Sequence, residues 1–107
     1  LLKDINDSVE VLGKLMRSMV KHRIKPYYLH QADLAAGTAH FRTTIAKGQE
    51  LMQQLRGTDS GLCQPQYVLD IPGGHGKSPI GPNYLVKQDT GLSVIDYQGN
   101  HYKYLER

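Results

Sequence analysis

The sequence predicts an α/β chain: two neighbouring parallel strands with their helices, followed by an antiparallel β meander. Three observations carry this. Residues 8–70 read helix, strand, helix, strand in that order. The segment between the two strand-like runs is too long for a hairpin and of the right size for a right-handed crossover. Beyond residue 82 the helical spacing stops, and turn signals at 89–91 and 98–100 separate β-rich runs. Two parallel strands alone leave both sheet edges unpaired, so the α/β part reads as two units of a larger repeating sheet or barrel.

The elements follow from residue spacing. In "NDSVEVLGKLMRSMVKHRI" (6–24), Asp7 with Glu10 three residues on matches a capping box. Val9, Leu12, Leu15, Met16, Met19 and Val20 then recur at helical steps, so the methionine stripe is read as core. The pattern fails at Ile24, and Pro26 forbids further helix. "KPYYLHQ" (25–31) has no clean alternation, as expected of a short strand covered on both faces. After the loop "DLAAGTAHFR", Thr43 or Thr44 caps a second helix with apolar positions Ile45, Gly48, Leu51, Met52 and Leu55, ended by Arg56 and Gly57. "PQYVLD" (65–70) is a second buried strand.

Bulk properties narrow the function classes. At 107 residues, 39% hydrophobic and 21% charged, the chain is one soluble globular unit at most. A net charge of +3, with only "KHRIK" (21–25) as a basic run, is not a nucleic-acid footprint. No apolar run reaches membrane-spanning length. Cys63 stands alone, so neither a disulfide nor a multi-cysteine metal centre forms within the chain, and it is read as a small buried hydrophobe. His22 and His101 are read as solvated, and His40 as ordering its loop. The start "LLKDIND", without methionine or leader, is expected to be the middle of something longer.

"DIPGGHGKSPIGP" (70–82) holds the chemistry. It ends in Gly-Lys-Ser like a phosphate-binding P-loop, but Ile71 replaces the first glycine, and Pro79, Gly81 and Pro82 forbid the helix whose amides a phosphate needs. A plain solvent-exposed turn is the alternative. Placement argues against it: Asp33 follows the first strand and Asp70 ends the second, at the rim where parallel α/β folds bind ligands. Lys77 reaches the same mouth, and Gly73, Gly74 and Gly76 let backbone pass close to a bulky group. The two carboxylates could bind a hard cation, work as an acid–base pair, or hold a cationic group beside a carbonyl-capturing lysine. The residues alone leave these three open, alongside loop capping by either aspartate.

The runs "PYYLHQADLAAGTAHFRT" (26–43) and "LRGTDSGLCQPQYVLDIPGGHGKSPIGPNYL" (55–85) closely resemble the lysine 2,3-aminomutase family. These are radical S-adenosylmethionine enzymes that also use pyridoxal phosphate. The likeness runs from residue 6 to the mid-eighties and fades in the last twenty residues. It implies that residues 1–82 are the end of a partial (β/α) TIM-like barrel carrying the substrate and cofactor loop, and 83–107 a β-rich C-terminal tail. Lys77 matches the lysine that forms the internal aldimine with pyridoxal phosphate, with Gly73, Gly74 and Gly76 beside it. Asp33 and Asp70 match the pair that receives the side-chain ammonium of L-lysine, which relatives acting on glutamate are expected to lack. His30, on the strand that passes near S-adenosylmethionine, stands where some members have tyrosine; His75 is read as a substituent of the glycine loop, with a cofactor contact as the alternative.

The implied reaction moves the α-amino group of L-lysine to C3, with the radical generated from S-adenosylmethionine at a [4Fe–4S] cluster. The family's Cys-x3-Cys-x2-Cys motif and its phosphate- and carboxylate-gripping arginines are absent here, so the cluster ligands are expected elsewhere in the parent polypeptide. No metal ligand is assigned within the chain, and Ser8 replaces a cysteine of the family's intersubunit zinc site. The expectation is therefore a cytoplasmic enzyme, homo-oligomeric at full length, without nucleic-acid or membrane partners, of which this chain alone is inactive. Two other readings remain. One is the related aminomutase serving elongation factor P, whose members tend to depart from "PGGxGK"; the other is a non-catalytic assembly module.

Overall fold

The computed structural model describes residues 1–106. It is a mixed α/β fold of two helices and two three-stranded sheets. Helix α1 spans Val9–Lys21, and its cap is Ser8, one residue after the expected Asp7. The Ser8 hydroxyl accepts from the Val11 amide, while the Asp7 carboxylate accepts from the Asp4 amide outside the helix. The helix closes in a Schellman arrangement: Ile24 N–H donates to the Met19 carbonyl and Arg23 N–H to Val20, with Arg23 at φ 62°.

Strand β1 (Tyr28–His30) pairs in parallel with β2 (Gln66–Asp70), as the crossover through helix α2 (Ile45–Thr58) requires. The cap of α2 is Thr44, whose hydroxyl accepts from the Lys47 amide. A third strand, β3 (Lys77–Pro79), was not anticipated: the glycine segment is the connection of an antiparallel β2–β3 hairpin. Ile71 N–H donates to Gly76 O across its neck, and Gly73, Gly74 and Gly76 all have φ between 77° and 92°, where a Cβ is disfavoured.

Register decides which residues face which way. Leu29 and Tyr67 are opposite one another and point toward the helices. There they join Leu12, Met16, Leu51, Met52, Leu55 and Cys63 in the buried core. Cys63 is thus the buried hydrophobe expected of it, and Leu12 and Met16 the buried part of the expected helical stripe; Leu15 is exposed. The alternate residues Tyr28, His30, Asp70 and Lys77 occupy the helix-free face. The expectation of a strand covered on both sides is corrected here, because Tyr28 and His30 are exposed.

The tail forms the expected meander of β4 (Leu85–Gln88), β5 (Gly91–Ile95) and β6 (His101–Tyr104), antiparallel throughout. It meets α2 where the Tyr97 ring lies against Gly57 and the Arg56 guanidinium stands 4.9 Å from the Tyr84 ring centroid. Arg107, the last residue of the expected tail, lies outside the described residues. No helix among the described residues is long and apolar enough to cross a membrane.

Candidate functional site

The site forms where the parallel strands end. Residue 70 closes β2 and residue 77 opens β3, so the hairpin sets Asp70 and Lys77 directly across from each other on the helix-free face. Their side chains meet, with Lys77 Nζ donating to Asp70 Oδ1 at 2.9 Å. His30 follows from β1, its Nδ1 3.6 Å from Asp70 Oδ2. The Tyr28 ring packs edge-on to His30 with centroids 5.9 Å apart, and its own centroid is 6.0 Å from Lys77 Nζ. That distance is the outer limit of a cation–π contact.

Electrostatics follow from the pairing. The hydrogen bond from Lys77 holds the Asp70 carboxyl below its ordinary range, and the same bond raises the Lys77 ammonium above its own. Lys77 is therefore protonated in this state. A lysine that captures carbonyls must first give up that proton.

Beside this face lies a cavity of about 680 Å³ lined by both Asp33 and Asp70. Its other walls are largely apolar, with Leu34, Ile45, Leu69 and Ile71 among them, and Gly74 forms part of the rim. Among the described residues the Asp33 carboxylate has no hydrogen-bond or ion-pair partner, whereas Asp70 is paired with Lys77. Lys77 is not part of the cavity wall; it reaches the cavity through Asp70. Gly74 and Gly76 face open space, since a Cβ on either would meet nothing within 4 Å, and a Cβ on Gly73 would meet the His75 ring at 3.1 Å.

Three residues here were not singled out by the sequence. Arg42 lines the cavity, its Nε donating to the Asp33 carbonyl at 3.3 Å. Gln31, only 6% exposed, is held between Tyr67 and Thr43. Tyr28 flanks Lys77. Tyr28 was legible in principle, since it stands two residues before the expected His30 and so shares its face of the strand; Arg42 and Gln31 carry no such signal.

The donor set was tested against the groups that the resemblance implies. A lysine that directly follows a glycine loop with open space at Gly74 and Gly76 is compatible with an aldehyde cofactor. No three His, Cys, Asp or Glu side chains converge to hold a metal among the described residues, and Cys63 is buried alone, so an iron–sulfur cluster does not fit on this chain.

The parallel strand pair and its helices define the class, a mixed α/β protein, and the Lys77–Asp70 pair lies at the rim where such folds bind ligands. Comparison with known proteins narrows this. The sequence profile described as "Lysine-2,3-aminomutase" matches residues 52–106, so the chain belongs to the lysine 2,3-aminomutase family. It is 49% identical over 95 residues to the L-lysine 2,3-aminomutase of Acetoanaerobium sticklandii and, equally, to that of Clostridium subterminale; each match covers 89% of this chain and 23% of the relative. It is also 42% identical over 95 residues to a glutamate 2,3-aminomutase of Clostridioides difficile, covering 89% of this chain and 22% of that protein. The chain thus spans about a quarter of the length of the curated relatives it matches.

Proposed function

We propose that this chain is the substrate-binding end of an aminomutase that moves the α-amino group of L-lysine to C3. In this reading residues 1–82 are the end of a partial (β/α) barrel and 83–107 a β-rich tail. The parallel β1–β2 pair with α1 and α2 on one face, and the site on the other, supports that placement. The rest of the polypeptide would then cover the exposed Tyr28/His30 face.

The observation that carries the substrate is the pair of carboxylates on one mostly apolar cavity, one of them without an ion-pair partner among the described residues. An aliphatic chain ending in an ammonium fits such walls better than a glutamate tail, whose carboxylate would meet two lining carboxylates, Asp33 and Asp70, against the single lining guanidinium of Arg42. The likeness to relatives of both names leaves this choice to the cavity. Lys77 would hold pyridoxal phosphate, with Gly73, Gly74 and Gly76 leaving room for it. His30 would stand beside the cofactors on the exposed face. When bound, pyridoxal phosphate and S-adenosylmethionine supply an amine-accepting aldehyde, an electron-delocalising ring and, with a [4Fe–4S] cluster held elsewhere, a radical. This chain's part is to anchor, orient and neutralise charge. A cytoplasmic setting, a homo-oligomeric parent and inactivity of the isolated chain belong to the same reading.

The test uses the full-length protein that carries this chain. Pyridoxal phosphate should give an absorbing adduct that borohydride fixes to Lys77, absent in Lys77→Ala. L-lysine, but not L-glutamate, should be converted to its β-isomer. Retention of the reducible adduct in Lys77→Ala, or turnover of glutamate in preference to lysine, would overturn the assignment.

A further inference from the structure

Asp33 lies on a segment that the sheet does not hold. Residues 32–42 leave the end of β1, make a short 3-10 turn at Ala39–Phe41 and return to the cap of α2. The backbone hydrogen bonds inside this segment are local turns: Thr38 N–H to Ala35 O, Phe41 N–H to Thr38 O and Arg42 N–H to Ala39 O. Leu34 and Phe41 are exposed, so burial contributes little to its position. A loop of this length, held only at its two ends, samples many geometries unless its neck is fixed.

The neck is fixed by Gln31. Its Nε2 donates to the Thr43 carbonyl at 2.7 Å, joining the residue before the loop to the residue after it. Its Oε1 accepts from the hydroxyl of Tyr67, a side chain 1% exposed in the centre of the core. The Tyr67 ring reaches that point because α2 presents Gly48 to it; a Cβ at residue 48 would occupy the space of the Tyr67 ring and hydroxyl. Burial pushes the Tyr67 hydroxyl up to about 12, so it stays a donor throughout the neutral range. Across the loop, the Arg42 guanidinium donates to the Asp33 carbonyl, and Lys3 N–H donates to Phe41 O on the far side.

We infer that Gln31, braced by Tyr67, is a positioning residue for substrate specificity: it clamps the neck of the 32–42 loop and thereby sets where the Asp33 carboxylate meets the cationic end of the substrate. This rests on the proposed lysine-binding role of Asp33. It assigns that role's precision to a buried amide which itself need carry no charge to the ligand. Losing one arm of the clamp releases the loop and should weaken binding of the ammonium while leaving chemistry at the other end of the substrate alone.

The experiment is steady-state kinetics on the full-length protein with L-lysine, comparing Gln31→Leu, Tyr67→Phe, Asp33→Asn and the double variant Gln31→Leu/Asp33→Asn. Gln31→Leu, which removes both hydrogen bonds of the clamp, should raise KM about tenfold with kcat within about threefold, the size expected when part of that loss is transmitted to binding. Tyr67→Phe, which keeps the ring and loses only the hydroxyl, should raise KM in the same direction by about two- to fivefold; it carries the test if the leucine variant does not fold. In the Asp33→Asn background, Gln31→Leu should add less than about twofold, because residues acting through one contact are not additive. A full tenfold added on top of Asp33→Asn, or a loss confined to kcat, would overturn the clamp while leaving the lysine-tail reading standing. An Asp33→Asn variant with unchanged KM would instead remove the lysine-tail reading itself, and the clamp's role in specificity with it.

Discussion

Replacing Gly48 by alanine would ordinarily stabilise a helix interior, by about 0.5–1 kcal/mol, because glycine loses more backbone freedom on folding. Here the opposite is expected. The Cβ would fall on the hydroxyl end of Tyr67, whose ring is 1% exposed and packed among Leu12, Leu51 and Leu55, so the ring cannot swing into solvent. Forcing a methyl into a filled core costs about 1–3 kcal/mol. Breaking the Tyr67–Gln31 bond in the process leaves a buried amide oxygen without its donor, a further cost of about 1–3 kcal/mol. Set against the propensity gain, Gly48→Ala should lose about 1–5 kcal/mol. Denaturant unfolding of the intact protein, followed by circular dichroism, measures this as a fall in midpoint at constant slope. A companion variant, Gly48→Ala with Tyr67→Leu, separates the causes: removing the ring should recover part of the loss although it deletes more buried surface. If Gly48→Ala instead raises the midpoint by the ordinary helix-propensity gain, Tyr67 is not held against α2 and the brace on Gln31 has no basis.

Ser8→Ala should cost about 1 kcal/mol through loss of the α1 cap, whereas Asp7→Ala should cost less, its carboxylate bonding outside the helix; paired unfolding curves check this. Asp70→Asn should lower the Lys77 pKa toward the ordinary lysine value, read directly by NMR titration of the Lys77 ammonium. The pH window of the pair follows from both shifts. The depressed Asp70 contributes above its ordinary value of 3.8 and loses that contribution as pH falls through its lowered value. The raised Lys77 contributes below its ordinary 10.5 and loses it as pH rises through its higher value. Adduct formation with pyridoxal phosphate in the wild-type protein should therefore climb with pH, and Asp70→Asn should move that climb to lower pH.

The sequence disclosed the elements whose signal is local. The 3.6-residue recurrence in 9–20 and 45–55 located both helices to within a few residues, and Pro26 set a limit to the first. The parallel strand pair followed from the length of the crossover and the meander from its turns. What escaped was set by pairing across space. The cap fell on Ser8 and not Asp7 because the Asp7 carboxylate turned back to Asp4, a choice between two adjacent oxygens that spacing does not rank. Lys77 opens a strand because Asp70, seven residues earlier, supplies its register partner; three glycines between them hide the hairpin. The Tyr28/His30 face stays exposed although the strand reads as apolar, because only one of its faces finds a helix within this chain.

The placement of charge at the site bears on order. Among the described residues Lys77 pairs with Asp70, while the Asp33 carboxylate has no ion-pair partner. Were Lys77 engaged by a carbonyl cofactor, its hydrogen bond to Asp70 would be given up, and Asp70 would stay a carboxylate on the same cavity as Asp33. Two carboxylates on one partly apolar wall would then share, among the described residues, the single lining guanidinium of Arg42, a condition that favours uptake of a further cation or of a proton. A substrate with a terminal ammonium supplies the first. On the proposed reading the cofactor amine and the substrate tail thus compete for Asp70, and loading of the cofactor clears the carboxylate that the substrate needs. Isothermal titration of lysine into the full-length protein tests this with no turnover involved. Lysine should bind at least about tenfold more tightly to Lys77→Ala, in which no ammonium competes for Asp70, than to the unloaded wild-type protein, the gain expected for freeing one hydrogen-bonded carboxylate. Equal affinity in the two proteins would mean that Asp70 is not the shared partner.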